Sequence, residues 1–96
     1  MSVRFEWDDD KAKVNLKKHK VSFDEACTVF GDPLAKIFSD DNHSSEEIRE
    51  IIVGHSMLGR VLLVSFTERG HDVIRVISAR VATRNERRSY EENKDK

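Results

Sequence analysis

Three apolar runs separated by short polar links constrain the fold of this chain more than any other feature. The runs are residues 49–55, 60–67 and 73–79. Runs of this length that are rich in Val, Ile and Leu are typical of strands, and such short links join antiparallel neighbours. Residues 61–64 leave neither strand face polar, so we expect this strand to be central and covered on both sides.

Signals for helix starts lie on both sides of these runs. Three aspartates before a lysine-rich segment predict a first helix over 9–19, because acidic side chains favour a helix N-terminus and basic ones its C-terminus. The capping pattern S/T-x-x-E then occurs twice. It predicts a second helix that begins at Ser22 and a last helix over 83–92. Short strands are predicted at 3–7 and 34–39.

The order of elements indicates one α+β domain over residues 1–92. In this domain two N-terminal helices and one C-terminal helix pack on a small antiparallel sheet, and residues 93–96 form a polar tail. The single cysteine, Cys27, cannot form an internal disulfide, which favours a reducing compartment. The start of the chain is highly charged, and no apolar run approaches the length of a membrane helix. We therefore expect a cytoplasmic protein with no membrane contact.

Basic residues are concentrated in two segments, although the chain has a formal net charge of −1. Residues 11–20 contain five lysines, one histidine and no acid, and a second cluster lies on the predicted last strand and helix. A polyanion can bind where two such segments converge. We expect the two segments to border one trough beside the sheet, and RNA to be the partner.

Four side chains could act on an RNA phosphate: His19, His55, Arg75 and Arg80. Imidazole can both accept and donate a proton near neutral pH, and guanidinium can stabilise charge that accumulates on phosphoryl oxygens. The set permits RNA cleavage without a metal, in which the 2′-hydroxyl attacks the adjacent phosphate. Which histidine would be the acid and which the base stays open.

Each of these residues also has a structural interpretation. An arginine among the apolar residues of a strand must either pair with a carboxylate or open into a cleft, and in the structural interpretation Arg75 forms an ion pair with an acid such as Glu50. Arg80 has the opposite parity to Arg75 on the same strand, so the two act together only if the strand bends between them. For His19 and His55 the alternative is a role in helix capping or packing.

Further basic side chains are candidates for binding RNA. Arg84 and Arg87 lie three residues apart on the last helix, and Tyr90 follows three residues later, so they could address one phosphate or one stacked base. Lys18 is the corresponding residue of the first helix. The alternative is a solvated helix face with interleaved acids.

The sequence contains no recognised metal, nucleotide or nucleophile motif. Short motifs for zinc, calcium, P-loop and dinucleotide sites are missing, and the acids between 40 and 47 fit a solvated loop better than a divalent-ion site. Cys27 lies on the apolar face of the second helix and is expected to be an inert core thiol. We therefore expect no metal and no cofactor.

Four spaced blocks of sequence resemble the BrnT family of type II toxins, which are similar to RelE-like ribonucleases. The blocks are F-E-W-D at 5–8, N-L-K-K-H at 15–19, V-S-F-D-E-A at 21–26 and I-S-A-R at 77–80, and the last block continues into shorter matches, A-T at 82–83, E-R at 86–87 and Y-E at 90–91. The resemblance runs from Phe5 to Glu91. One departure is Lys20, where such proteins commonly have glycine, so we expect either a strained turn or a helix that is longer by one residue.

The resemblance implies a RelE-like fold and an RNA endonuclease that inhibits translation. It also implies neutralisation by a BrnA-like DNA-binding antitoxin, and it leaves open a dimer or a heterotetramer with that antitoxin. Among the candidate residues, those inside matching blocks are Lys18, His19, Arg80, Arg87 and Tyr90. An alternative is a catalytically inactive module of the same fold that binds a partner or co-represses transcription. A third interpretation is a stable domain whose basic segments only solvate it.

Overall fold

A five-stranded sheet forms the centre of the fold in a computed structural model that describes residues 3–40 and 48–93. The elements, in chain order, are β1 Arg4–Glu6, α1 Asp9–His19, α2 Phe23–Thr28 with a 3-10 turn Val29–Gly31, β2 Lys36–Ser39, β3 Glu50–His55, β4 Val61–Glu68, β5 Val73–Val81 and α3 Arg84–Asn93. The predicted α+β class is therefore confirmed. Residues 41–47, which include most of the polar loop predicted at 40–45, and the last three residues of the predicted tail lie outside the described residues.

The sheet has the strand order β1-β5-β4-β3-β2. The three apolar runs form β3, β4 and β5, and these pair antiparallel as predicted. The edge strand β2 is antiparallel to β3, whereas β1 joins the opposite edge parallel to β5. The sheet is therefore mixed, with one parallel pair contributed by the three-residue β1.

One side of the sheet, the core face, holds the larger hydrophobic cluster. Leu62, Val64 and Phe66 of β4 are fully buried on this face, where they meet α2 and the 3-10 turn. The rings of Phe30 and Phe66 pack edge to face, with their centroids 5.0 Å apart. Burial of several such side chains, each contributing about 1.5–3 kcal/mol, provides most of the driving force for folding.

A β-bulge in β5 determines which side chains reach the other side of the sheet, the open face. Ser65 pairs with Ser78, but the next residue of β4, Phe66, pairs with Val76, so Ile77 is an extra residue. Directly opposed residues of a ladder share a face. The parity of β5 therefore reverses at Ile77, and Arg75 and Arg80 both lie on the open face.

The helix starts follow the capping signals in the sequence. The Asp8 carboxylate accepts hydrogen bonds from the backbone N–H groups of Asp10 and Lys11, and the Ser22 hydroxyl accepts one from Glu25. The first helix ends at His19 because Lys20 adopts a left-handed conformation with φ 60°. Of the two outcomes expected at Lys20, the strained turn is the one observed.

The last helix covers only one end of the open face. Tyr90 of α3 is buried there with Val53 and Val61, and farther along the open face Ser65 and Ser78 line a cavity. Among the described residues, no helix is long and apolar enough to cross a membrane.

Candidate functional site

A groove runs across the open face from the end of α1 to the inner side of α3. It consists of three adjoining cavities of about 340, 90 and 400 Å³. His19 and Ser78 line both the first and the second cavity, and Ile51 and Leu63 line both the second and the third. The cavities therefore form one continuous surface, which we call the groove.

His19 and Arg80 meet in the middle cavity of the groove. His19 is the last residue of α1, and Arg80 lies near the end of β5 with Leu63 directly opposite it. The hydroxyl-bearing residues Ser65 and Ser78, a facing pair next to the bulge, complete the polar lining. An imidazole, a guanidinium and two hydroxyls thus surround a space large enough for a phosphate group.

The side chain of Asn15 holds α1 against β5 beside this cavity. It is 6% exposed and donates hydrogen bonds from Nδ2 to the carbonyls of Ala79, at 2.8 Å, and Val21, at 3.0 Å. Its Oδ1 accepts a hydrogen bond from the Ala79 N–H at 3.1 Å. Because His19 lies one helical turn after Asn15 and Arg80 follows Ala79, these bonds fix the two candidate residues relative to each other.

The guanidinium of Arg80 is engaged by a carboxylate of α3. Its Nη1 donates to Oε1 of Glu86 at 2.8 Å, and its Nη2 donates to Oε2 at 2.9 Å. Glu86 also closes the second capping box, since it accepts a hydrogen bond from the Thr83 N–H. The paired guanidinium lowers the pKa of Glu86 from 4.5 to about 2, and the same pairing raises the pKa of Arg80. An RNA phosphate would have to compete with Glu86 for Arg80.

Arg75 also has a carboxylate partner, but the acid suggested from the sequence was wrong. Its Nη1 donates to Oε2 of Glu6 in β1 at 3.1 Å. Glu50 cannot take this role, because it is paired with Phe66 and so lies on the core face. Arg75 stays on the open face. Its partner in the ladder is Thr67, which lies two positions after Ser65 on β4.

His55 and Tyr90 belong to a different cluster, around Asp32. The Tyr90 hydroxyl donates to the Asp32 carboxylate at 2.5 Å, and the His55 backbone N–H donates to the same oxygen at 2.8 Å. The ring centroids of His55 and Tyr90 lie 5.4 Å apart. Burial raises the pKa of Asp32, but these hydrogen bonds outweigh it, and the net pKa is lowered. Burial and the Asp32 carboxylate raise the pKa of Tyr90.

This cluster holds the Tyr90 side chain in place, and the contact of Tyr90 with RNA stays a prediction. Tyr90 is 4% exposed, and its hydroxyl is already bonded. His55 lies against Tyr90 at the end of the sheet and is not among the residues that line the middle cavity. The structure therefore brings His19 together with Arg80 and places His55 elsewhere.

The remaining predicted RNA-binding residues lie at the margins of the groove or away from it. Lys18 lines the first cavity with His19. Arg84 and Arg87 are exposed, and α3 turns Asn85, Ser89 and Tyr90 toward the groove instead. Arg87 is exposed whereas Tyr90 is buried, and their joint contact with one phosphate stays a prediction.

Sequence reasoning missed Asn15, Ser65 and Ser78 as parts of the site. Asn15 was visible as a polar residue on the inward face of a helix, a pattern that indicates a buried hydrogen-bonding role. The two serines in strands of Val, Ile and Leu gave a weaker signal of a polar surface. The described part of the chain contains no cluster of three or more His, Cys, Asp or Glu residues that could hold a metal.

Comparisons with known proteins give a consistent result. Residues 7–86 match the family model described as the ribonuclease toxin BrnT of type II toxin-antitoxin systems. The fold is similar to a crystal structure of the Brucella abortus ribonuclease toxin BrnT, with a TM-score of 0.66 and 24% sequence identity, covering 86% of this chain and 100% of that one. Among the curated proteins that were compared, none matched.

Proposed function

This chain belongs to the BrnT family, the ribonuclease toxins of type II toxin-antitoxin systems, and from that membership we propose that it cleaves RNA in the groove between His19 and Arg80. The observation that carries the proposal is the middle cavity. One proton-transfer group and one guanidinium line a single cavity on the open face there.

The proposed reaction is an attack by the RNA 2′-hydroxyl on the adjacent phosphorus without a metal. The bond from phosphorus to the 5′-oxygen of the next nucleotide breaks, which leaves a 2′,3′-cyclic phosphate and a free 5′-hydroxyl. Arg80 would stabilise the charge on the phosphoryl oxygens, and His19 would transfer a proton to or from the reacting oxygens. Lys18, next to His19, would hold the approaching backbone through its charge.

Two of the predicted catalytic residues receive different roles in this proposal. His55 stabilises the Asp32 cluster through Tyr90 and takes no part in proton transfer. Arg75 lies two residue positions from the middle cavity, roughly 7 Å along the strand, so it suits a flanking phosphate better than the scissile one. Arg84 and Arg87 are assigned to RNA that extends beyond the groove.

A second function is supported by the pairing of Arg80 with Glu86. Arg75 and Arg80 both have carboxylate partners, as expected if the groove is an inactive surface used only for binding. The chain would then dock a partner or act as a co-repressor of transcription.

The biological context follows from the family and is likewise proposed. Cleavage of cellular RNA would inhibit translation in the cytoplasm. A BrnA-like antitoxin with a DNA-binding part would neutralise the toxin by covering the groove. A dimer or a heterotetramer with the antitoxin is compatible with such an arrangement.

The test is cleavage of RNA by purified, antitoxin-free protein in the presence of a chelator. We expect products that end in a 2′,3′-cyclic phosphate, and a loss of about 100-fold or more in rate for His19→Gln. His71→Gln is the matched control, because His71 is exposed in the link between β4 and β5. Intact RNA over repeated preparations, with a folded protein, would favour the inactive binding module. Equal activity of the wild type and His19→Gln would refute the assigned site.

A further inference from the structure

The largest cavity of the groove is apolar and lies directly beside the proposed catalytic centre. Its volume is about 400 Å³, and its floor consists of Phe38, Ile51, Val53 and Leu63. Two floor residues, Ile51 and Leu63, also line the cavity of His19 and Arg80. Any group bound to this apolar floor would therefore adjoin a phosphate bound at Arg80.

Phe38 stands out on this floor because its ring is left exposed. It lies on the edge strand β2 opposite Ile51, on the open face, and is 53% exposed. An exposed aromatic ring beside a cavity costs the protein solvation free energy and provides a flat surface for stacking. Its neighbour Ile37 is 55% exposed but points to the core side of the strand, away from the cavity.

The rim of the cavity is polar on the helix side. Asn85 and Ser89 of α3 line it together with Glu86, the partner of Arg80, and Lys36 of β2 lines it from the opposite side. A carboxamide and a hydroxyl together provide hydrogen-bond donors and acceptors, which is what the edge of a nucleobase requires. The ammonium group of Lys36 suits the backbone of a nucleic acid.

We propose that this cavity binds one nucleobase adjacent to the scissile phosphate, stacked on Phe38, with Asn85 and Ser89 contacting its polar edge. The inference rests on the proposed function and assigns the substrate contact of the same site. Unpaired bases that leave the RNA stack are bound in this way, between apolar or aromatic side chains and a few polar groups.

A nucleobase explains this cavity better than a helix of a partner protein. Cavities of a few hundred Å³ with few polar groups are typical of sites for small ligands. A docked amphipathic helix requires apolar anchors along about two turns, and here the apolar floor leads instead into a cavity that His19, Ser65, Ser78 and Arg80 line with polar side chains. Continuity with the phosphate site is the feature that selects RNA.

The experiment uses short oligonucleotides that contain a single 2′-hydroxyl and therefore a single cleavable linkage. In two further substrates the base on one or the other side of that linkage is replaced by an abasic residue. The kcat/KM values are measured for the wild type, Phe38→Ala, Phe38→Tyr and Ile37→Ala. Ile37→Ala is the matched control, because it removes a similarly exposed apolar side chain from the same strand on the other face.

With an intact substrate we expect Phe38→Ala to lower kcat/KM by about 5- to 150-fold, the usual effect of removing one stacking aromatic side chain. Phe38→Tyr and Ile37→Ala should stay close to the wild type. With one of the two abasic substrates, the wild type should lose a similar factor and Phe38→Ala should lose nothing further.

Several results would overturn the inference. Equal effects of Phe38→Ala and Ile37→Ala would do so, as would a loss for Phe38→Ala that is the same on all three substrates. If Phe38→Ala cleaves RNA normally but escapes inhibition by the antitoxin, the cavity is a docking site for protein. If the wild type cleaves none of the substrates, nor longer RNA, the proposed function itself is wrong, and the assigned substrate contact is wrong with it.

Discussion

Replacing Glu86 by glutamine separates the two tasks of this carboxylate. In the wild type, Glu86 accepts a hydrogen bond from the Thr83 N–H at 2.8 Å and two from Arg80. Glutamine keeps a carbonyl oxygen for the Thr83 N–H, as in many capping boxes, but loses the charge that holds Arg80. The variant therefore tests the ion pair with little disturbance of the helix start.

The cost of the substitution can be estimated from the pKa of Glu86. A decrease from 4.5 to about 2 is about 2.5 pH units, which at about 1.36 kcal/mol per unit gives an upper limit of roughly 3.4 kcal/mol. Glu86 and Arg80 are 35% and 41% exposed, so solvent screening reduces this figure. We expect Glu86→Gln to lower the free energy of unfolding by about 1–2 kcal/mol at pH 7.

The sign of the pH dependence follows from the direction of the pKa shift. Because the folded-state pKa of Glu86 is depressed, its contribution is fully present above pH 4.5 and is lost as the pH falls through about 2. The difference between wild type and variant in urea denaturation should therefore be constant near neutrality and shrink between these values. A difference that does not depend on pH would mean that lost packing, and not the charge, causes the effect.

The same variant should bind RNA more tightly, because it releases Arg80 and removes a competing anion from the groove. We expect a several-fold lower Kd for a non-cleavable 2′-deoxy analogue, measured by fluorescence anisotropy at fixed salt. Arg80→Gln should weaken binding under the same conditions. If Glu86→Gln also weakens binding, Glu86 positions Arg80 for RNA instead of competing with it, and the reasoning above is wrong.

Two further predictions concern the elements that frame the groove, and urea denaturation at pH 7 measures both. Asn15→Ala should lower the free energy of unfolding by about 2–4 kcal/mol. The substitution leaves the backbone groups of Ala79 and the carbonyl of Val21 without hydrogen-bond partners, and each such loss costs about 1–3 kcal/mol. The higher helix propensity of alanine offsets part of this cost. The neighbouring, exposed Leu16→Ala should cost less than about 1 kcal/mol, and equal effects of the two would contradict the role of Asn15. Lys20→Gly should raise stability by about 0.5–1 kcal/mol, since glycine adopts a positive φ without steric strain, and a loss would show that the Lys20 side chain stabilises the turn.

The helices were predictable from the sequence because their signals are local. Asp8 and Ser22 cap α1 and α2 through hydrogen bonds to residues two or three positions away. The pairing of β3, β4 and β5 was likewise predictable, because short links leave an antiparallel neighbour as the simple solution. Only the parallel addition of β1 required information from residues about seventy positions apart.

The arrangement of the candidate site depended on features that the sequence does not display. Because side chains alternate between the two faces of a regular strand, the sequence predicts Arg75 and Arg80 on opposite faces. The extra residue at Ile77 reverses that result. The partner of Arg75 depended on where β1 pairs, which puts Glu6 beside it. His19 and His55 were equivalent by residue type, and only tertiary packing separates them.

The short length of β1 explains why a helix reaches the groove at all. β1 pairs with only the first three residues of β5, Val73 to Arg75, so the later backbone groups on this edge need other partners. At Ala79 the partner is the Asn15 side chain, whose Nδ2 donates to the Ala79 carbonyl and whose Oδ1 accepts from the Ala79 N–H. This pair of hydrogen bonds is like the pair that a residue of a neighbouring strand would form. A longer β1 would occupy this position and displace α1. The three-residue strand and the buried amide therefore bring Lys18 and His19 to the edge of the open face, near Arg80 at the end of β5.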